Sequence, residues 1–452
     1  MSTASTSTRA PAPPRDTLFT NRNFRWLLAG GVVSMLGEQF TLIALPWLVL
    51  RLTGDTLTLG IVIAVTSLPR AAFVLVGGAF VDRHSPRQVL LLSKLVNAAL
   101  LALLALLVWR GTLAIGMLYA IAAAIGLTTA FSYPASSALL PQAVPADTLP
   151  GANGALMSLR QLTMLLGPVL AGVLIGVSGQ HDVHAARAVA DARGLTLAFA
   201  LDALSFALSA ATLVPVRLRA RDAHAQAAGV VGAIGQALRA FWNDKALRTL
   251  CLYLAAVSVF VGGPIQVALP VFASRQLPGG ATALGLLSTG HGAGVLVGML
   301  LSGARPTWRI RTLGTTMLAM DATAGLCLVA FGRIAATWQG LLLLAFLGTC
   351  AGFIQVAVFT WMQRRVAPAM LGRTMSLFMF IFLGVAPLSA AAAGAVMRWL
   401  SPTALFAASG ATLTAFALLG LCFATIRRID DGNTSARRPD GDGTPVAATT
   451  SA

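Results

Sequence analysis

Along the 452 residues, long apolar runs alternate with short polar connections, and twelve of those runs are long enough to cross a bilayer. A spanning helix needs about 20 predominantly apolar residues, because lipid offers its backbone amides no hydrogen-bond partner. That window predicts helices over 24–50, 59–80, 89–109, 113–137, 152–177, 195–215, 246–272, 282–303, 313–332, 338–360, 373–397 and 402–425. The longest internal polar stretch, 216–245, follows the sixth run and divides the chain into halves of six. The pattern predicts an all-α membrane protein of two six-helix bundles, 23–215 and 246–425, joined by a central loop at 216–245, with disordered tails at 1–22 and 426–452.

Composition agrees with that class: 57% of the residues are hydrophobic, 10% are charged and the mean hydropathy is +0.79. Residues 1–22 are rich in Ser, Thr and Pro and lack an apolar core, so they read as a retained tail and not a signal peptide. The net charge of +17 would suit nucleic acid only if the basic residues formed one patch, and here they are scattered between apolar runs. Counted by side, 23 Lys and Arg residues, Lys94 among them, fall with the tails and the even-numbered exits, and 7 fall on the opposite side. By the positive-inside rule both termini are cytoplasmic, and nucleic acid is not a partner. Cys251, Cys327, Cys350 and Cys422 stand singly in apolar segments and read as small hydrophobic residues, not as disulfide or metal ligands.

The halves echo one another. LLPQAVPADTLPGANGALMSLRQLTMLLGPVLAGVL, between the fourth and fifth runs, has a counterpart in WMQRRVAPAMLGRTMSLFMFIFLGVAPLSAAAAGAVM, between the tenth and eleventh. Gly167-Pro168 in the first aligns with Ala386-Pro387 in the second. Two such repeats are a signature of one class of secondary transporter.

Ionisable side chains inside spans are costly, about 2.5 to 3.5 kcal/mol at the bilayer centre on insertion scales, so each is a functional candidate. Glu38, the only glutamate in the chain, lies near the middle of the first span, and Arg70 near the middle of the second. Ser34 and Thr41 share a helical face with Glu38, and Thr66 shares one with Arg70, so each charge stands in a polar stripe. Three roles are open for Glu38: a carboxylate that takes up and releases a proton as access alternates or contacts substrate, the fixed partner of Arg70, or an unrelated packing group. Arg160, near the cytoplasmic end of the fifth span, either snorkels or faces the cavity and attracts an acidic substrate. His291, among glycines in the eighth span, is a candidate proton relay or a packing residue. Asp321 reads as a helix–helix contact, and Asp202 as lying near the outer end of its span.

Substrate contacts are expected from polar and aromatic stripes: Thr128, Ser132 and Tyr133 on the fourth span, Ser258, Gly262 and Gln266 on the seventh, and Gly352, Gln355 and Phe359 on the tenth. Gly262-Gly263-Pro264 is a candidate helix break. No GxxxxGK[ST] phosphate loop or Ser, His and Asp arrangement is present, so no enzyme and no cofactor is expected. His181, Asp182 and His184, an isolated trio in an outer loop, do not make a convincing metal site.

GGAFVDRHSPRQ, residues 77–88, follows the second span, with Gly78, Asp82-Arg83 and Arg87 at fixed spacing and Asp82 just past a helix end. This spacing resembles the signature loop of the major facilitator superfamily, and the likeness extends over nearly the whole chain. SMLGEQFTLIALPWLVLRLTG, TSLPRAAFVLVGGAFVDR and LPQAVPADTLPGANGALMSLRQ resemble the branch that includes macrolide-efflux and siderophore-export proteins. The resemblance implies that Gly78, Asp82, Arg83 and Arg87 form a cytoplasmic latch, and that Gly167, Pro168 and Gly172 form the antiporter Gly-Pro motif. Ser85 and Pro86 depart from the usual signature, and the second-half copy GARPTWRIR has Arg305, Arg309 and Arg311 but no acid. The expected activity is proton-coupled export of small amphipathic compounds, such as drugs, siderophores or secondary metabolites, by a monomer in the cytoplasmic (inner) membrane of a bacterium. Its partners are the substrate, protons and the lipid bilayer. An importer or lipid flippase of the same fold, and a receptor or scaffold that carries nothing, are the rivals.

Overall fold

Helix starts fall where the sequence supplies a cap. Asn21 accepts the Phe24 amide, Asp55 those of Leu57 and Thr58, Asp244 those of Ala246 and Leu247, and Ser401 that of Ala404. Gly54 and Gly111 end two helices at φ of 65° and 67°, left-handed conformations that favour glycine. The computed structural model describes residues 18–145, 147–179, 192–218, 242–305, 308–366, 378, 384–427 and 429, and within them not the side chains of 74–79, 82, 83 and 424.

After a short 3₁₀ turn at Leu18–Thr20, the first half holds α1 Arg22–Thr53, α2 Thr56–Arg83, α3 Pro86–Arg110, α4 Ile115–Ala143, α5 Leu149–Gly179 and α6 Ala192–Leu213. In the second half are α7 Lys245–Gln276, α8 Ala281–Ala304, α9 Leu313–Phe331, α10 Thr337–Arg365, α11 Gly384–Val396, α12 Pro402–Cys422 and a final turn, α13 Ala424–Arg427. Eleven of these are long and apolar enough to span, and α11 is the shorter described part of the expected 373–397 run. Described structure extends further out than the hydropathy windows at both ends. Residues 18–22 form a turn and a cap, and Ile426 and Ile429 are buried against α7, α9 and α10. Most of the central loop and the His181-Asp182-His184 trio lie outside the described residues, among which no metal-ligating cluster occurs.

Packing repeats between the halves. In the first, α1 packs on α6, α2 on α4 and α3 on α6; in the second, α7 packs on α12, α8 on α10 and α9 on α12. Small residues permit these approaches, since apolar helices in lipid gain little from hydrophobicity against one another. Gly290, Gly294 and Gly298 of α8 lie against the backbone at Leu341, Ala345 and Thr349 of α10, and Gly348 and Gly352 of α10 lie against His291 and Val295. Gly352, expected to line a cavity, is therefore a packing residue. The expected break at Gly262-Gly263-Pro264 does not occur either: α7 runs unbroken through Pro264. Gly263 lets the Ser389 backbone close in, and the Ser389 hydroxyl donates to Val259 O at 2.6 Å, a side-chain bond at the turn that proline weakens.

Between the halves, contact is concentrated at the end far from the chain termini. Thr56 Oγ1 donates to Gly394 O at 3.0 Å, Thr282 Oγ1 to Gly172 O at 3.2 Å and Arg275 Nη2 to Gly54 O at 3.3 Å. Arg398 pairs with Asp55 at 3.4 Å, Gly60 meets the Ala390 and Gly394 backbone, and Trp47 is buried against Gly280. At α5 and α8 the backbones nearly touch: a Cβ on Gly172 would stand 2.6 Å from Ala281 O and 2.9 Å from Gly285 Cα. At the terminal end the polar ties run within a half. Asn23 donates to Ala143 O and Arg217 O, Arg365 pairs with Asp244 at 2.7 Å, and Thr312 donates to Arg427 O.

Asp55 both caps α2 and meets Arg398. Burial opposes its ionisation, but the hydrogen bonds from Thr58, Arg398 and the Leu57 and Thr58 amides prevail and hold its carboxyl at about 2, below the ordinary 3.8. Its contribution to closure is therefore complete above the ordinary value, is lost only as pH falls toward 2, and is constant across neutral pH. Both partners are partly exposed, so the pair itself adds no more than about 1 kcal/mol.

The α5–α8 contact leaves no space for a side chain. Gly285→Val is expected to weaken far-side closure by about 1–3 kcal/mol. Spin-label distances across the far ends of α5 and α8 would report this as a longer-distance population, and an unchanged distribution would refute it.

Candidate functional site

Glu38 lies at the centre of α1 and is exposed, while Ser34, Gly37 and Gln39 beside it are buried. The carboxylate is nonetheless surrounded by protein, since Lys94 of α3, Arg160 of α5 and Arg70 of α2 all lie within electrostatic reach, in that order of strength. A mid-membrane group that is both ringed by side chains and exposed faces an internal cavity, here one sealed at the far end. No ion pair joins Glu38 to Arg70, Lys94 or Arg160 among the described residues. The static Glu38–Arg70 pair is thus absent in this conformation.

Arg70 is half-buried, makes no hydrogen bond among the described residues, and its Nε is buried without a partner. Tyr133 of α4 is exposed and close enough for its charge state to act on Arg70. In the second half Gln266 of α7 and Gln355 of α10 are exposed, and Phe359 packs edge-on to Phe378, ring centres 5.6 Å apart. The other members of those stripes look elsewhere. Thr128 donates to Asn97 of α3 and to its own helix, and Ser258 is buried.

Lys94 was counted above as a cytoplasmic surface charge, and the structure corrects this. It is the ninth residue of α3, buried, with Nζ donating to Ser34 Oγ at 2.9 Å and lying 5.5 Å from the centre of the Phe206 ring of α6. Asp202 is also displaced from its expected place near an outer end, because α6 spans 192–213 and centres on it. It is 1% exposed, accepts from Thr41 and Ser205, and lies within electrostatic reach of both Glu38 and Lys94. Gly37 makes this possible, since any Cβ there would collide with Ser205 and Asp202. Ser34 and Thr41, the flanks of the Glu38 stripe, thus lead from the cavity carboxylate to Lys94 and Asp202 between α1, α3 and α6.

The second half fills the equivalent place differently. Asp321, the ninth residue of α9, accepts from Tyr253 OH of α7 at 2.7 Å, and the Tyr253 ring stacks on Phe416 of α12, 5.4 Å between centres. This is the helix–helix contact expected for Asp321. His291 packs at the α8–α10 seam with Nδ1 unpartnered and is not among the groups whose charge reaches Glu38. Gly167 abuts Gln39 of α1, and Pro168 and Gly172 abut Gly285 of α8, so the Gly-Pro motif sits where α5 meets both its own half and the other.

Of the latch residues, the Gly78, Asp82 and Arg83 side chains lie outside the described residues. The backbone at Asp82 and Arg83 belongs to the last turn of α2, not to a loop beyond the helix as expected, because the chain turns only at His84. Arg87 donates to Leu213 O and Val214 O at the end of α6, where unpaired carbonyls welcome a cation.

If Lys94 balances buried Asp202, Lys94→Met should lower stability by roughly 1–3 kcal/mol, and Lys94→Met with Asp202→Asn should lose less than the sum of the singles. Thermal unfolding of the purified variants measures this cycle, and strictly additive losses would show that the two charges are independent.

Comparison with known proteins now adds to this geometry. The chain is 26% identical over 419 residues to the multidrug efflux pump Tap of Mycobacterium tuberculosis (strain ATCC 25618 / H37Rv), covering 89% of this chain and 94% of that protein. It is 23% identical over 361 residues to macrolide efflux protein A of Streptococcus pyogenes, covering 78% and 84%. Among solved structures it resembles the nucleoside transporter NupG, with a TM-score of 0.66 at 12% identity over 90% of this chain and 100% of that one. It also resembles an inward-facing, unoccupied bacterial homologue of the human lysosomal transporter Spinster, with a TM-score of 0.66 at 14% identity over 90% and 97%. At these identities the solved structures speak for the fold. The family model described as Major Facilitator Superfamily matches residues 27–386, and the chain belongs to that superfamily.

Proposed function

We propose that this transporter is a proton-coupled exporter of small amphipathic compounds in the bacterial cytoplasmic membrane, with both termini cytoplasmic. Relatives named as drug and macrolide efflux proteins support export, and the Lys and Arg asymmetry supports the orientation. In that orientation the far-side seam closes the outer face, and the cavity is open to the cytoplasm.

The observation that carries the coupling is Glu38: central, exposed and without an ion pair among the described residues. A carboxylate that meets one aqueous compartment at a time exchanges protons with that compartment. Ionised, it is stabilised by the field of Lys94, Arg160 and Arg70. Protonated, it is neutral and passes through an occluded state without burying an unpaired charge. Cargo enters from the cytoplasm, the halves rock about the α5–α8 contact, the far-side seam opens and cargo leaves. A proton then taken up by Glu38 from outside favours the return. The Asp82, Arg83 and Arg87 latch holds the outward-open state on the terminal side, and Arg87 must leave the end of α6 to take part.

The test uses inverted vesicles with an imposed pH gradient and a radiolabelled compound to which expressing cells have become resistant. Glu38→Gln, present in the membrane at the wild-type level, should fall to the rate of empty vesicles, whereas Glu38→Asp should retain part of the flux. Undiminished gradient-driven uptake by Glu38→Gln would contradict the coupling, and flux in the opposite sense would contradict export.

A further inference from the structure

The charges at mid-membrane are distributed unevenly. Arg70, Lys94 and Arg160 stand in the first half against Glu38 and Asp202. Lys94 is buried between α1, α3 and α6 within reach of both acids, Glu38 more strongly than Asp202. Among the described residues of the second half no Lys or Arg lies at mid-membrane, and the mid-membrane acid there, Asp321, is bound to Tyr253. The exposed polar groups of that half on the stripes expected to meet substrate are the neutral amides Gln266 and Gln355. The first half therefore carries a surplus of positive charge toward the cavity, and the described residues of α7 and α10 at that depth are uncharged.

Arg70 is the centre of that surplus. A guanidinium has five N–H donors in a planar fork, and in the middle of a membrane each unfilled donor is expensive. Arg70 nevertheless has no hydrogen bond and no ion pair among the described residues, and its buried Nε faces no acceptor. Glu38 lies near enough to feel its charge but does not bind it. Arg160 approaches the same carboxylate from α5, so two guanidinium groups flank one open space. Tyr133, exposed beside Arg70, offers an aromatic face and a hydroxyl.

We propose that the cargo is an amphipathic acid whose carboxylate-type group docks on Arg70 with Arg160 alongside, its apolar body lying between Tyr133 and the faces of α7 and α10 that carry Gln266 and Gln355. The proposal rests on the transport reading above and names its cargo class. The planar fork of arginine matches a carboxylate bidentately, which sets a carboxylate apart from a neutral polar group of similar size. An amine on the same scaffold meets the positive surplus and is disfavoured.

The test is equilibrium binding to the purified full-length protein in detergent, read by fluorescence, with three probes on one scaffold: dansylglycine, dansylglycinamide and dansylethylenediamine. The carboxylate should bind at least about tenfold more tightly than the amide, with the amine weakest. Arg70→Gln should bring the carboxylate to within about twofold of the amide, and Arg70→Lys should restore part of the preference, which a merely misfolded variant would not do. No saturable binding of the carboxylate, equal or tighter binding of the amine, or an unchanged preference in Arg70→Gln would overturn the proposal. Since this measurement needs neither a pH gradient nor flux, it stands or falls separately from proton coupling.

Discussion

A charge in the middle of a bilayer must have a counter-charge or water. That constraint organises this protein. Lys94 and Asp202 answer it chiefly with hydrogen-bonding groups, Ser34 for the lysine and Thr41 and Ser205 for the acid; Asp321 answers it with Tyr253. Glu38 has no such partner and is exposed, so the helices around it must part to admit water. The parting determines the rest: the halves cannot touch along their whole length, and their contact is concentrated at the far end, where glycines at 60, 172, 285 and 394 let backbones meet.

The two repeats share a packing scheme and differ in chemistry. The α1–α6, α2–α4 and α3–α6 contacts recur as α7–α12, α8–α10 and α9–α12, yet the ninth residue of the third helix is Lys94 in one half and Asp321 in the other, opposite in sign. In each half an aromatic ring of the sixth helix lies against this group or its partner, Phe206 under Lys94 and Phe416 under Tyr253. Among the described residues the first half thus holds the mid-membrane cations, and the second holds a glycine-stitched α8–α10 pair.

Much of this was legible in the sequence, and the misses have physical causes. Hydropathy located the spans because the lipid constraint acts on length and apolarity, and Glu38 and Arg70 stood out because each interrupts a span near its centre. Lys94 escaped because it lies only two turns into α3, where a lysine on the cytoplasmic side ordinarily snorkels to the surface; the polar stripe that receives it, Ser34, is on another helix. Asp202 was misplaced because a polar entry, Ala192-Arg193-Gly194, shifted the apparent centre of its span. Gly352 and Gly262-Gly263-Pro264 show the same limit from another side. Small residues signal close approach, but whether a cavity, a break or a neighbouring backbone comes close depends on the partner helix, which no local pattern names.

The central claim is that one open, unpaired carboxylate exchanges protons as access alternates. Proton counterflow measures it most directly: liposomes loaded with a pH-sensitive dye and containing the purified protein receive transported compound on one side, and internal pH is followed alongside labelled flux. Proton movement opposite to the compound, in fixed proportion to it and absent in Glu38→Gln, is the predicted result. Compound flux with no accompanying proton movement would contradict the account.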